Sequence, residues 1–148
     1  MSEENSISVE NRMYEKLKEL LDKGGFSFTP RDELHRILIN FEPASDMETP
    51  ISILISIIME GRGINFFSQI KDKKANNIYK ESLLEENYHY RFLKWVIDDD
   101  QDMICTIDLF IDEEILSVRN LKEIFALIVS SHNRINDKIT KSEVGNES

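Results

Sequence analysis

The stretch from Thr49 to Ile70, TPISILISIIMEGRGINFFSQI, decides the fold. Ile51, Ile53, Ile55 and Ile57 fall at period two, and β-branched side chains suit one face of a pleated strand. Ser52, Leu54, Ser56 and Ile58 take the opposite face. Gly61-Arg62 has the Gly-X form of a two-residue hairpin turn, because glycine reaches positive φ without steric cost. Gly63 can then form a bulge, after which Ile64, Phe66, Ser68 and Ile70 alternate along a return strand. Burying the four isoleucines is worth roughly 6 to 12 kcal/mol. A one-residue slip would turn that whole face to water, so the register is fixed.

Upstream, Val9, Met13, Leu17, Leu20 and Leu21 recur at steps of three and four, which predicts an amphipathic helix over Ser8 to Lys23. Gly24-Gly25 stops it. Phe26-Ser27-Phe28 reads as a short extended piece before Thr29-Pro30. Leu34 to Phe41 reads as a full strand with Ile37, Ile39 and Phe41 on one side. Pro43, Ser45, Asp46 and Pro50 mark Glu42 to Pro50 as a loop.

Downstream, Asp72 is expected to cap a helix running to about Glu86, with Ala75, Ile78, Tyr79 and Leu83 inward and Asn87 at its end. Aromatic and β-branched residues crowd Tyr88 to Ile97, which predicts a strand. Asp98 to Asp102 forms a polar hairpin loop, and Met103, Cys105, Ile107, Leu109 and Ile111 make another alternating face. Ser117 caps a last helix whose inward stripe is Leu121, Ile124, Phe125, Ile128, His132 and Ile135. The apolar run from Ile124 to Val129 implies burial of this helix on more than one side.

The expected class is therefore α+β: a two-layer domain with an antiparallel five-stranded sheet and three helices, in the order α-β-β-β-α-β-β-α. One domain is expected to span residues 1–148, with polar, flexible ends at about 1–7 and 139–148. With 28 acidic and 18 basic residues the net charge is −10, which repels phosphate backbones and anionic lipid, so neither nucleic acid nor membrane is an expected partner. The N-terminal MSEENSISVE lacks the basic start and apolar core of a secretory signal, and the longest apolar run is far below ~20 residues. Cys105 is the only cysteine, which permits no intrachain disulfide. A cytoplasmic location is expected.

The layout and hydrophobic spacing, together with EGRGINFFSQI, LLEENYHY and LSVRNLKEIFALIVSSHNRI, resemble the YbjN-like family of bacterial sensory transduction regulators, whose fold is similar to that of type III secretion chaperones. The resemblance covers roughly Met13 to Asp137. It implies helices packed on an antiparallel sheet, frequent dimerisation and no assigned chemistry. Gly61, Gly63, Phe66, Asn87, Tyr88 and Leu121 match recurring family positions and are all read structurally; Tyr88 to Ile97 departs from the pattern in being so aromatic.

Candidate chemistry is sparse. Asp98, Asp99, Asp100 and Asp102 could offer oxygen ligands to a hard cation, but a helix-loop-helix calcium site counted from Asp98 would need glycine and glutamate where Met103 and Leu109 stand. His35, His89 and His132 show no zinc-ligand spacing, and Cys105 falls on a buried face. The glycines around Arg62 lie between strands and open no helix, so they form no phosphate loop. No catalytic residue, metal or cofactor is expected.

Surplus apolar residues are more informative. Adjacent residues on a strand point to opposite faces, so only one of Phe66 and Phe67 can join the main core. Leu54 and Ile58 lie behind the isoleucine face, and Leu93 and Trp95 lie opposite Phe92. Leu54, Ile58, Phe66, Phe67, Leu93 and Trp95 are therefore the candidate protein-interaction residues. The expected function is a non-catalytic protein-binding module, a chaperone-like or regulatory adaptor that forms a homodimer. The alternative is a carboxylate-based metal-binding protein or small enzyme using the Asp98 to Asp102 loop.

Overall fold

The computed structural model describes residues 2–42, 50–90 and 92–147. The elements are α1 (Ser2–Lys23), β1 (Phe28–Arg31), β2 (Arg36–Phe41), β3 (Ile51–Ile58), β4 (Gly63–Lys74), α2 (Asn77–His89), β5 (Lys94–Ile97), β6 (Asp102–Phe110) and α3 (Val118–Glu147). A 3-10 turn, Asp32–Leu34, separates β1 from β2. The sheet is antiparallel throughout, in the order β1-β2-β3-β4-β6-β5. The α+β class is as expected, but there are six strands instead of five. The added one is β1, which pairs Phe28 with Ile39 and Pro30 with Ile37.

Ile51, Ile53 and Ile55 are buried and Ile57 is half-buried, so the isoleucine face points inward as expected. Register settles the neighbouring ambiguity: Ile55 opposes Phe66 and Leu54 opposes Phe67. Phe66 therefore enters the core, where its ring meets Phe125 of α3 edge-on at 6.0 Å. Phe26 and Phe41 gather on the same Phe125 ring at 5.1 and 5.5 Å. From the helices, Met13, Tyr14, Leu17, Leu20 and Leu21 of α1, Tyr79 and Leu83 of α2, and Leu121, Phe125, Ile128 and Ile135 of α3 complete this core.

The β3–β4 turn differs from the expected two-residue form. Met59, Glu60 and Gly61 all have positive φ, and Ile58 pairs directly with Gly63, so no bulge occurs there. The ladder irregularity falls later, between Gln69 and Lys74. Gly61 is buried because the turn seats against α1: a Cβ on it would lie 2.7 Å from the Glu10 amide nitrogen. Glycine is required here by contact as well as by φ.

Several boundaries shift. Asp72 belongs to β4, and α2 is capped instead by Asn76, whose Oδ1 accepts from the Tyr79 amide at 2.9 Å. Ala75 precedes the helix and Ile78 is exposed. Tyr88 and His89 lie in α2, and β5 is only four residues long. Asn87 does not end the helix; its side chain accepts from the Trp95 amide at 2.6 Å and donates to the Trp95 carbonyl at 2.8 Å.

Ser117 caps α3 as expected, its Oγ accepting from the Asn120 amide at 3.2 Å. However, Ala126 and Leu127 are exposed, so α3 is buried along one stripe only. The outer helices extend beyond their expected bounds: α1 starts at Ser2 and α3 reaches Glu147, with Ile139 buried. Of the expected 42–50 loop, residues 43–49 lie outside the described residues, as does Arg91. Among the described residues, no helix is long and apolar enough to cross a membrane.

Candidate protein interface

All three helices send their buried side chains to one face of the sheet, and among the described residues none of the other face joins that core. Period-two alternation sorts the strands accordingly. Leu38, Leu54 and Phe67 stand in one cross-strand row on the open face, because Leu38 opposes Leu54 and Leu54 opposes Phe67. Each is half-buried by its neighbours alone. They floor a shallow groove of about 480 Å³ whose walls include Arg31, Leu34, Arg36 and Gln69.

The polar residues around the row pair laterally. Ser52 Oγ donates to Asn40 Oδ1 at 2.6 Å. Asn65 Nδ2 reaches Thr106 Oγ1 at 2.9 Å and Asp108 Oδ1 at 2.8 Å. Ile58 lies at the end of the same face, half-buried, its Cγ1 filling the space that a side chain on Gly63 would need.

A second apolar surface surrounds the end of α2. Tyr88 and Phe92 are each 83% exposed and Leu84 is 68% exposed. His89, Tyr90, Phe92, Leu93, Leu127 and Arg134 line a concavity of about 290 Å³ beside them. The Arg134 guanidinium lies over the Tyr90 ring at 4.0 Å, a cation–π contact that holds one wall.

No protein-family model and no curated protein matches the sequence. Solved structures do. The type III secretion chaperone SycH of Yersinia pestis, in complex with a fragment of YscM2, is similar over 83% of this chain and 98% of its own, with a TM-score of 0.61 at 12% identity. A chain of the HopA1–SchA chaperone–effector complex matches over 81% of this chain and 92% of its own, with a TM-score of 0.56 at 15% identity. YbjN of E. coli matches over 89% and 92%, with a TM-score of 0.52 at 16% identity. This chain has the fold shared by type III secretion chaperones and YbjN.

On this chaperone-like fold the six candidate interaction residues divide. Leu54, Ile58 and Phe67 lie on the open face. Phe66, Leu93 and Trp95 are at most 3% exposed, and of the three only Leu93 reaches the lining of the concavity beside α2. Trp95 turns inward because its indole N–H has a buried partner, donating to Ser131 Oγ at 2.8 Å. Ser131 in turn donates to Glu86 Oε1 at 2.9 Å, and Arg134 reaches the same oxygen at 2.7 Å. The apolar surface near β5 is supplied instead by Tyr88, Leu84 and Phe92. Of these, Phe92 alone has a clear sequence signal, its alternation against Leu93 and Trp95.

Most of the candidate chemical groups make contacts within the fold. Asp98 Oδ1 accepts from the amides of Asp100 and Asp102 at 3.0 and 2.9 Å, which closes the β5–β6 turn. Asp98, Asp100 and Asp102 do bring carboxylate oxygens within 4.8 Å of one another, but Asp102 is also ion-paired with Lys74, whose pKa rises in response. His35 pairs with Glu10 at 2.9 Å, His89 ends α2, and His132 is buried in α3. His132 Nε2 lies 2.6 Å from Ser68 Oγ, and burial pushes its pKa down to about 4. Burial likewise pushes the Cys105 thiol up to about 12, so it is inert as a nucleophile.

Proposed function

We propose that this chain is a non-catalytic protein-binding module, a chaperone-like or regulatory adaptor, which receives a protein partner on the open face of its sheet. The observation that carries this reading is the row Leu38–Leu54–Phe67, three apolar side chains in register on a face that no helix residue of the core reaches. An interface needs such an apolar centre within a polar rim, and Asn40, Ser52 and Asn65 supply that rim. Support comes also from the solved structures of the same fold, in which SycH is bound to a fragment of YscM2 and SchA to HopA1. Self-association is assigned to the separate surface of Leu84, Tyr88 and Phe92, since a dimer formed there leaves the open face free.

Cross-linking with mass spectrometry on the native cell tests the partner. Wild-type protein should give cross-links from the open face to another protein, and the L54D/F67D double substitution should lose them while keeping its circular dichroism spectrum. Retention of the same cross-links by the double substitution would refute the reading. For self-association, Y88D/F92D should convert a dimer to a monomer in sedimentation equilibrium; a monomeric wild type at all concentrations would remove the dimer.

The competing reading, a carboxylate metal site or small enzyme at Asp98 to Asp102, has in its favour the close approach of three carboxylates. It is disfavoured because Asp98 Oδ1 already holds two turn amides and Asp102 Oδ1 already holds Lys74. A rise in Tm on adding calcium would restore it, since a ligand that prefers the native state must stabilise that state.

A further inference from the structure

The groove on the open face has a chemical bias that the apolar row alone does not explain. Arg31 and Arg36 stand directly opposite each other where β1 meets β2, and both line the groove. Like charges placed opposite across a ladder repel. Among the described residues neither guanidinium has an ion-pair or side-chain hydrogen-bond partner, whereas Arg12, Lys18, Lys74, Arg119, Arg134, Lys138 and Lys141 all have carboxylates beside them. Among the described residues Lys16, Lys23, Arg62, Lys80, Lys94 and Lys122 also lack an ion pair, so what distinguishes the two arginines is their position, facing each other beside the apolar row.

The sheet edges narrow the mode of binding. An added strand needs a row of free N–H and C=O groups. On the β1 edge Pro30 has no N–H to give. On the β5 edge the Asn87 side chain already occupies both the N–H and the C=O of Trp95, as a neighbouring backbone would. Both edges are blunted, and docking falls to side chains on the open face.

We infer that the open face takes an extended, acidic and apolar segment of a partner protein, with carboxylates on Arg31 and Arg36 and apolar side chains on Leu38, Leu54 and Phe67. This rests on the protein-binding reading above and adds the chemistry of the partner. Arginine forks match carboxylates two bonds at a time, so the pair would fix the register of a segment that the apolar floor only holds. A second copy of this chain seated through the same face would bring two further arginines into one interface, which the charge pattern disfavours.

Short peptides in which leucine alternates with aspartate, serine or lysine test this by anisotropy and by amide chemical shifts of the isotope-labelled full chain. The aspartate peptide should bind on the order of tenfold tighter than the serine peptide, with shifts at Arg31, Arg36, Leu38, Leu54 and Phe67. The R36E substitution should erase that preference and yet raise Tm, because it places opposite charges across β1 and β2; a residue with a purely structural role would not gain stability on reversal. Equal binding of all three peptides at this face overturns the charge assignment and leaves the binding face standing. Shifts confined to the end of α2, or no binding by any peptide, overturn both. Concentration-dependent shifts at the open face without peptide would make a second copy the occupant and overturn the assignment.

Discussion

Replacing Gly61 with alanine measures how firmly the β3–β4 turn is seated on α1. The residue has φ +95°, and a Cβ would sit 2.7 Å from the Glu10 amide nitrogen, 2.8 Å from Glu10 Cα and 2.9 Å from the Val9 carbonyl carbon. All three are helix backbone, which cannot rotate away. Two costs add: about 2 kcal/mol for a side chain at this φ and about 2 kcal/mol for overpacking against fixed atoms. A loss of about 4 kcal/mol lowers Tm by roughly 8 to 16 °C for a domain of this size. Two other glycines separate the terms. Gly25 has φ +79° with nothing within 4 Å, so alanine there carries strain alone, about 2 kcal/mol. Gly63 lacks the positive φ, and its nearest obstacle is the Ile58 Cγ1 at 3.0 Å on a side chain that can move, so alanine there should cost about 1 kcal/mol or less. Thermal and urea melts followed by circular dichroism give the ranking directly. If G61A lost no more stability than G25A, the turn would not be pressed against α1 and this packing would be wrong.

The remaining predictions concern buried charge and protons. Arg134→Ala should cost about 2 to 3 kcal/mol in urea melts, because Glu86, 1% exposed, would lose its 2.7 Å partner and keep only Lys138 Nζ at 3.9 Å; adding Glu86→Gln to that variant should recover part of the loss. The His132 pKa is depressed from 6.5 to about 4 by burial, so the unfolded chain binds the additional proton between those values. Stability should therefore be unaffected by this group above pH 6.5 and fall as the pH drops towards 4, by about 3 kcal/mol in all; His132→Gln should flatten that part of the pH profile.

Much of the core was legible because alternation is a strong signal. Ile51 to Ile57, Ile64 to Ile70 and Met103 to Leu109 each repeat at period two, and the inward stripe of α3 was identified residue by residue. Elements without such a signal escaped. β1 has one half-buried residue, Phe28, followed by exposed Thr29, Pro30 and Arg31; it is a strand because β2 offers a ladder, which no local pattern records. The extension of β4 to Lys74 likewise depends on pairing with Asp102. Tyr88 and His89 have strand-like neighbours but complete a helix whose Asn87 is tied to Trp95, a tertiary contact that overrides propensity.

The proposed interface was half legible for the same reason. Leu54 and Phe67 were visible as surplus apolar residues, although the choice between Phe66 and Phe67 needed the register. Trp95 was misplaced because nothing local indicates that Ser131 waits for its N–H. Arg31 and Arg36 carry no motif, and only the reversal of the chain at Asp32–Leu34 sets them side by side.

The seating of α1 on the β3–β4 turn has a consequence for how the chain is made. The first helix leaves the ribosome with Met13, Tyr14, Leu17, Leu20 and Leu21 along one side, but the surface that receives them, Gly61 included, belongs to strands synthesised later. Until β3 and β4 have emerged and closed, that apolar side has no cover, and nascent chains with uncovered apolar surface are prone to aggregate. Slowing translation between α1 and Gly61 should therefore lower soluble yield, while slowing it beyond β6 should have less effect.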